Sequence, residues 1–299
     1  MEIRPYQHRS DFDRINQFLI EAYQPGDVFD AWLQPRWEYM HFHPSILSLD
    51  RSRFGIAEEG GQIRGIVHSE SNPAEVFIQV HPEYVHLKES LFDFAEETNY
   101  QGLSKSTGRL FRVVYVNDFD TVMEALVVSR GYERWDHFAE KNSRYLLNNS
   151  VPQPELPDGF RLQCLADEND LHKINRVLWR GFNHQGPPPE EEVEGRSFGQ
   201  QAPNFRKDLT IVAVAPDGTF VSYCGMWYIP RHKVAYLEPL ATDPEFRRMG
   251  LAKAVVFESM RRVQNLGAEL VWVGSGLEFY QAIGFQLMFA AYPWAIFLD

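Results

Sequence analysis

The sequence predicts a duplicated α/β protein, and three observations carry that expectation. A proline-rich polar stretch, Asn148 to Gly159, divides the 299 residues near their middle into 1–150 and 151–299, and such a composition favours an extended linker ending in a turn. Asp11-Phe12-Asp13-Arg14-Ile15-Asn16 recurs at a constant offset as Asp170-Leu171-His172-Lys173-Ile174-Asn175. The predicted elements then follow one order in both halves: β-α-β-β-β-α-β-α-β, with a loop or helix after the first helix.

Each half opens on a short strand, Ile3-Arg4-Pro5 and Phe160-Arg161-Leu162. Apolar residues at 12, 15, 18, 19 and 22/23 have helical period, and Asp11 is placed to cap the start. Gly60-Gly61 and Asp217-Gly218 lie between β-rich runs and predict hairpins, 54–57 with 63–68 and 210–214 with 220–228. Strands at 76–80 and 234–240 run into the similar phrases His81-Pro82-Glu83-Tyr84 and Asp243-Pro244-Glu245-Phe246, each followed by a helix. A strand comes next, 111–116 and 270–273, then a short helix ending in Gly131-Tyr132 or Gly284-Phe285.

The net charge of −12 opposes general binding to nucleic acid or to an anionic membrane, both of which need a positive surface field. Cys164 and Cys224 are the only cysteines, which excludes a disulfide framework or cysteine metal cluster, and no metal is expected. No apolar run reaches the ~20 residues of a membrane helix. Met1-Glu2-Ile3-Arg4-Pro5 lacks a basic-then-apolar leader pattern. A cytoplasmic protein, monomer or homodimer, is the expectation.

The most informative stretch runs from Leu240 through Ala241, Thr242, Arg247, Arg248, Met249, Gly250, Leu251 and Ala252 to Lys253. A strand enters a loop with R-x-x-G-x-A spacing, and a helix with apolar residues at 251, 255, 256 and 260 follows. Small residues let a ligand approach the backbone, and free N–H groups at a helix start favour an anion such as pyrophosphate. With Leu277-Glu278-Phe279-Tyr280 and the Gly284-Phe285 turn downstream, this resembles the GNAT superfamily of N-acetyltransferases. The likeness covers roughly 160–299 in motif and 1–150 in topology, in a tandem layout similar to that of mycothiol synthases. It implies two GNAT-like α/β (α+β) domains, each a central mixed, mostly antiparallel sheet flanked by helices. It implies acetyl-coenzyme A as co-substrate, held by 240–242 and 247–253, and a small-molecule or peptide amine as acceptor.

The resemblance also implies direct acyl transfer. Tyr280 stands where the family often places its general acid, the alternative being packing of the last helix. A backbone N–H near Leu240 would stabilise the thioester oxygen. Glu238 is the candidate base, the alternative being a salt bridge; alternation places it on the face of Leu240, opposite Leu237. Pro239 suggests a bulge or splay in that strand. Acceptor contacts are expected from Trp179, Phe182 and His184 in the loop after the first helix, with Trp227 as a wall. Glu190-Glu191-Glu192 reads as a solvated helix start and Cys224 as a small buried residue. Many family members carry an Asn shortly before the Phe-Tyr pair; here the stretch is Val273-Gly274-Ser275-Gly276, with Ser275 the candidate replacement.

Aligning the repeats sets Val85 against Arg247, Lys88 against Gly250, Ser90 against Ala252 and Val127 against Tyr280. The first half is therefore expected to keep the fold without binding the cofactor. Trp32, Arg36, Trp37, Tyr39, His41 and His43 crowd one segment there, as core or as a recognition surface. A non-catalytic acyl-coenzyme A binder and an unrelated phosphate-binding α/β protein are the competing readings.

Overall fold

A computed structural model describes residues 3–43, 46, 49–148 and 150–298. Met1, Glu2, Asn149 and Asp299, which the sequence reading assigns to the chain start, the linker and the end of the second domain, lie outside the described residues. The chain forms two compact units, the first built from 3–40, 46, 49–142 and 288–298, the second from 41–43 and 143–287, among the described residues. The units therefore do not follow the halves 1–150 and 151–299, and the proline-rich stretch belongs to the second unit. Strand pairing explains the difference. Residues 143–146 pair with 270–273, and residues 291–298 pair with 110–117, so each sheet takes an edge strand from the other half of the sequence. Strand periodicity specifies a buried face, not a neighbour, and gives no warning of this exchange.

The first unit holds β1 (Ile3–Pro5), α1 (His8–Ala22), most of α2 (Gln34–Phe42), β2 (Gly55–Glu59), β3 (Gln62–His68), β4 (Glu75–Val80), α3 (Leu87–Glu97), β5 (Gly102–Leu103), β6 (Leu110–Asn117), α4 (Thr121–Ser129), β7 (Glu133–Arg134) and the start of β8 (Glu140–Leu146). The second holds β9 (Arg161–Cys164), α5 (Leu171–Gly181), α6 (Glu191–Gly199), β10 (Ile211–Val214), β11 (Phe220–Ile229), β12 (Val234–Thr242), α7 (Leu251–Asn265), β13 (Leu270–Val273), α8 (Glu278–Ala282) and the first residues of β14 (Gln286–Leu298). The main sheets run β1-β2-β3-β4-β6-β14 and β9-β10-β11-β12-β13-β8. Along those paths pairing is antiparallel except for β4 with β6 and β12 with β13.

In the second unit α7 buries Leu251, Val255, Val256, Met260 and Val263 against Cys224, Met226 and Leu237 of the sheet. At ~1.5–3 kcal/mol for each large apolar side chain, that face fixes the helix start beside the end of β12. On the other face α5 packs Ile174, Val177 and Leu178 against Val212, Val214 and Phe220. Asp170 caps α5 by accepting from the amides of His172 and Lys173. Asp11 behaves differently from its repeat partner. Helix α1 begins earlier, at His8, and Asp11 lies buried in its first turn, accepting from the Gln7 amide and from Arg4. Arginine guanidinium groups and the amide at the helix start together hold that carboxylate. Trp32 and Trp37 are core residues, and the acidic run opens α6 with Glu191 and Glu192 in its first turn.

Candidate functional site

The site forms where two strands part. Strand β12 pairs with β13 only at Val234, Ala235 and Tyr236, yet continues to Thr242. On its other edge it stays paired with β11 to the end. The Asp243 amide donates to the Val221 carbonyl. Antiparallel alternation then makes Ala241 and Tyr223 a hydrogen-bonded pair and leaves Leu240 in a non-bonded one. The Leu240 N–H and C=O consequently point into the gap where β13 has diverged.

A bulge corrects one sequence expectation. Cys224 faces Leu240 and Met226 faces Leu237, so Gly225 opposes two residues, Glu238 and Pro239. The extra residue shifts the alternation, and Leu240 shares the face of Leu237 instead of opposing it. Glycine is required at 225: a Cβ there would lie 2.4 Å from the Glu238 carbonyl oxygen.

After β12 the chain makes a short turn, Pro244–Phe246, and enters α7 through Gly250 at φ 81°. Buried Asp243 braces this turn. It accepts from the Glu245 amide, from Arg180 Nε at 2.6 Å, and is paired with Arg176 at 3.0 Å. Burial alone would raise the Asp243 carboxyl, but the Arg180 hydrogen bond and the nearby amide and guanidinium charges hold it below the usual range. Arg247 turns its guanidinium onto the Thr242 and Gly181 carbonyls and Asn183 Oδ1, tying the turn to the end of α5.

Among the described residues, the backbone amides of 248–253 donate to no protein acceptor, and α7 has no side-chain cap. A Cβ at Gly250 would meet open space. Arg248 and Lys253 have no acidic partner among the described residues, although the Lys253 ammonium lies 5.5 Å from the Phe257 ring. These groups border a cavity of about 630 Å³ lined also by Gly181, Leu240, Ala241, Thr242, Phe246 and Arg247, and on the far side by Leu277, Phe279, Tyr280, Ala282 and Ile283. Exposed amides, unpaired cations and apolar walls fit a diphosphate joined to a long, weakly polar arm.

Tyr280 is 5% exposed, and its hydroxyl has no hydrogen-bond partner among the described residues. Burial, then Cys224 and the Glu238 carboxylate, push that hydroxyl well above the usual tyrosine value. It is a proton donor at neutral pH. Cys224 is fully buried, and burial pushes its thiol up to about 12, which removes it as a nucleophile.

Of the cofactor residues expected from sequence, all but Met249 line the cavity; Met249 is exposed at the turn. Glu238 is half-buried beside the bulge and is not among the lining residues. Trp179, Phe182 and His184 stay outside it. Trp179 stacks on His184 at 4.4 Å and donates to the Gly186 carbonyl, while Phe182 is exposed. Trp227 is no wall: it is buried, donating from Nε1 to the Glu238 carbonyl at 2.9 Å. The Ser275 hydroxyl accepts from the Leu277 amide ahead of α8. Gly181 was missed in the sequence, although a Cβ there would strike the Ala241 side chain at 2.7 Å; its signal is a glycine closing a strongly amphipathic helix.

The first unit builds the same junction and fills it. Pairing of β4 with β6 stops at Val76, although β4 continues to Val80. Its own segment 30–32 spans the two strands. The Trp32 amide donates to Gln79 on β4, and Asn117 on β6 donates to Asp30. At the start of α3, buried Lys88 reaches Asp30 and Asp120, each at 2.6 Å. Val127, opposite Tyr280 in the repeat, is core.

Comparison with known proteins agrees with this geometry. Residues 171–285 match the acetyltransferase (GNAT) family. No curated protein matches the sequence. Among solved structures, a GCN5-related N-acetyltransferase from Sphaerobacter thermophilus is similar with a TM-score of 0.64 at 17% identity, over 99% of this chain and 95% of that one. A tandem GNAT protein from the clavulanic acid biosynthesis pathway gives 0.64 at 15%, over 99% and 98%. A GNAT-family acetyltransferase from Colwellia psychrerythraea gives 0.60 at 13%, over 99% and 100%. At such identities these likenesses speak for the fold, and they extend it over both units. Residues 171–285, within the second unit, thus match the GNAT acetyltransferase family, and the full-chain likenesses show the fold of such proteins.

Proposed function

We propose that the second unit transfers an acetyl group from acetyl-coenzyme A to a primary amine of a small molecule or peptide, by direct attack. The observation that carries this reading is the run of unbonded amides at 248–253, facing one cavity with the unpartnered Tyr280 hydroxyl. The bound thioester would supply an activated acyl carbon. The amides of 248–253, with Arg248 and Lys253, would hold its diphosphate. The Leu240 N–H would donate to the thioester oxygen as charge gathers there. Tyr280 would give its proton to the sulfur as the carbon–sulfur bond breaks and the carbon–nitrogen bond forms. Glu238, directly or through water, would take the proton the amine must lose. The first unit would bind no cofactor, because its own side chains occupy the equivalent junction.

Thiol release from acetyl-coenzyme A across a panel of amines tests the proposal, beside a calorimetric titration with coenzyme A. Turnover with one or more amines and one binding site per chain is the expected result. Binding without turnover across a broad panel would make the chain an acyl-coenzyme A binder, and two sites per chain would overturn the account of the first unit.

A further inference from the structure

We infer that Gly225 and Trp227 are positioning residues that aim the Leu240 amide into the cavity, an inference that rests on the transferase reading above. Neither residue lines the cavity, and Trp227 is buried against Phe205 at 5.9 Å between ring centroids. Both act on one group, the Glu238 carbonyl. Trp227 Nε1 donates to it at 2.9 Å. Gly225 leaves it room, since a Cβ would lie 2.4 Å from that oxygen and 3.0 Å from Pro239 Cδ.

The clamp matters because this stretch of β12 has lost other restraints. Beyond Tyr236 no pairing to β13 holds the strand, and Pro239 has no N–H to give to a ladder. On the β11 side the bulge interrupts the register between Leu237 and Leu240. Fixing the Glu238 carbonyl toward β11 sets the peptide that follows, and with it the direction of the Leu240 N–H. Without the indole donor the Glu238 carbonyl would lose that hydrogen bond, and the segment would lose a restraint on its orientation.

Trp227→Phe removes the donor and keeps a ring; Gly225→Ala pushes the carbonyl aside. Each is expected to lower kcat about tenfold, a fraction of the loss seen when an oxyanion donor is itself removed, with affinity for coenzyme A within about twofold of wild type. If both act through one carbonyl, the double variant is no slower than the slower single, instead of about a hundredfold slower. A residue that merely packs would move the melting temperature without that split or that non-additivity. Hydrogen exchange of the 237–243 segment in the coenzyme A complex is expected to speed up in Trp227→Phe, a readout needing neither turnover nor the alanine variant. Unchanged exchange, or a Trp227→Phe enzyme with wild-type kcat, overturns the inference. A wild-type protein that turns over no amine overturns the transferase reading instead, and the exchange result still decides the clamp.

Discussion

The Lys88 ammonium lies 2.6 Å from the Asp120 carboxylate, and both side chains are buried. This pair, completed by Asp30, sits at the start of the first unit's α3, where the second unit presents bare amides. Removing one member of a buried ionic group strands the other charges. Lys88→Met should cost roughly 3–5 kcal/mol, read as a lower urea midpoint with an unchanged slope. The stoichiometry for coenzyme A should stay at one per chain, and a second site appearing in that variant would show that the plug alone had suppressed it.

Tyr280→Phe keeps the packing of α8 and deletes the proton. We expect kcat to fall about 100-fold with unchanged affinity for coenzyme A. Because burial holds the hydroxyl above its ordinary value, Tyr280 stays protonated through pH 9, and any alkaline loss of kcat below that pH must come from another group. Wild-type kcat in the phenylalanine variant would remove Tyr280 from the acid role.

Gly250→Ala and Gly250→Glu separate backbone strain from obstruction. A Cβ at 250 meets open space within the protein, but φ of 81° disfavours it. The alanine variant should lose about 1 kcal/mol of stability and retain weakened cofactor binding. The glutamate variant should melt similarly but bind no coenzyme A, since it adds bulk and like charge at the amides. Equal affinities by titration would move the diphosphate away from this turn.

Charge reversal at Lys253 should weaken coenzyme A binding about tenfold at low salt, the loss shrinking as ionic strength rises, because the ammonium is exposed. Arg248→Ala should act in the same direction. By contrast, Arg247→Ala should also lower the melting temperature, since its guanidinium joins the turn to α5 through three acceptors. A Lys253→Glu enzyme whose affinity is insensitive to salt would contradict a charge role.

His68 gives the first unit a pH dependence of its own. It is buried among Trp32, Trp37, Phe54 and Phe77, with Gln79 and the Ser69 carbonyl as polar neighbours. Burial, reinforced by nearby Arg36, lowers it from 6.5 to about 3. The unfolded chain therefore takes up a proton below pH 6.5 that the folded chain refuses, and stability present above that pH is lost as pH falls toward 3. Between pH 6.5 and 5 this one group should cost about 2 kcal/mol. Chemical denaturation of wild type and His68→Gln at pH 7 and 5 reads it, and parallel losses in both proteins would exclude His68 as the source.

The order of elements and the turn at 247–253 were legible because they rest on local rules. Asp170 caps a helix wherever it stands, and the spacing of Arg247, Gly250 and Ala252 makes a turn with exposed amides regardless of what lies across the molecule. Two errors have a shared cause in long-range pairing. The face of Leu240 depends on Gly225 opposing two residues of β12, which a single strand's alternation cannot reveal. Trp227 looked like a pocket wall because an aromatic residue on a strand has the same pattern whether its edge meets a ligand or a carbonyl. Trp32 stood out as an aromatic residue, but the bridging role of segment 30–32 had no signal, since it depends on Gln79, Lys88 and Asn117, all distant in sequence.

The traded strands mean that the copy whose strand junction is filled by its own side chains is not expendable. Excising residues 1–150 would also delete the 143–146 segment that covers β13, and would leave the 291–298 segment without Leu110–Asn117 to receive it. A fragment beginning at 151 would thus expose two raw β edges, and its fate would be self-association instead of a smaller working enzyme.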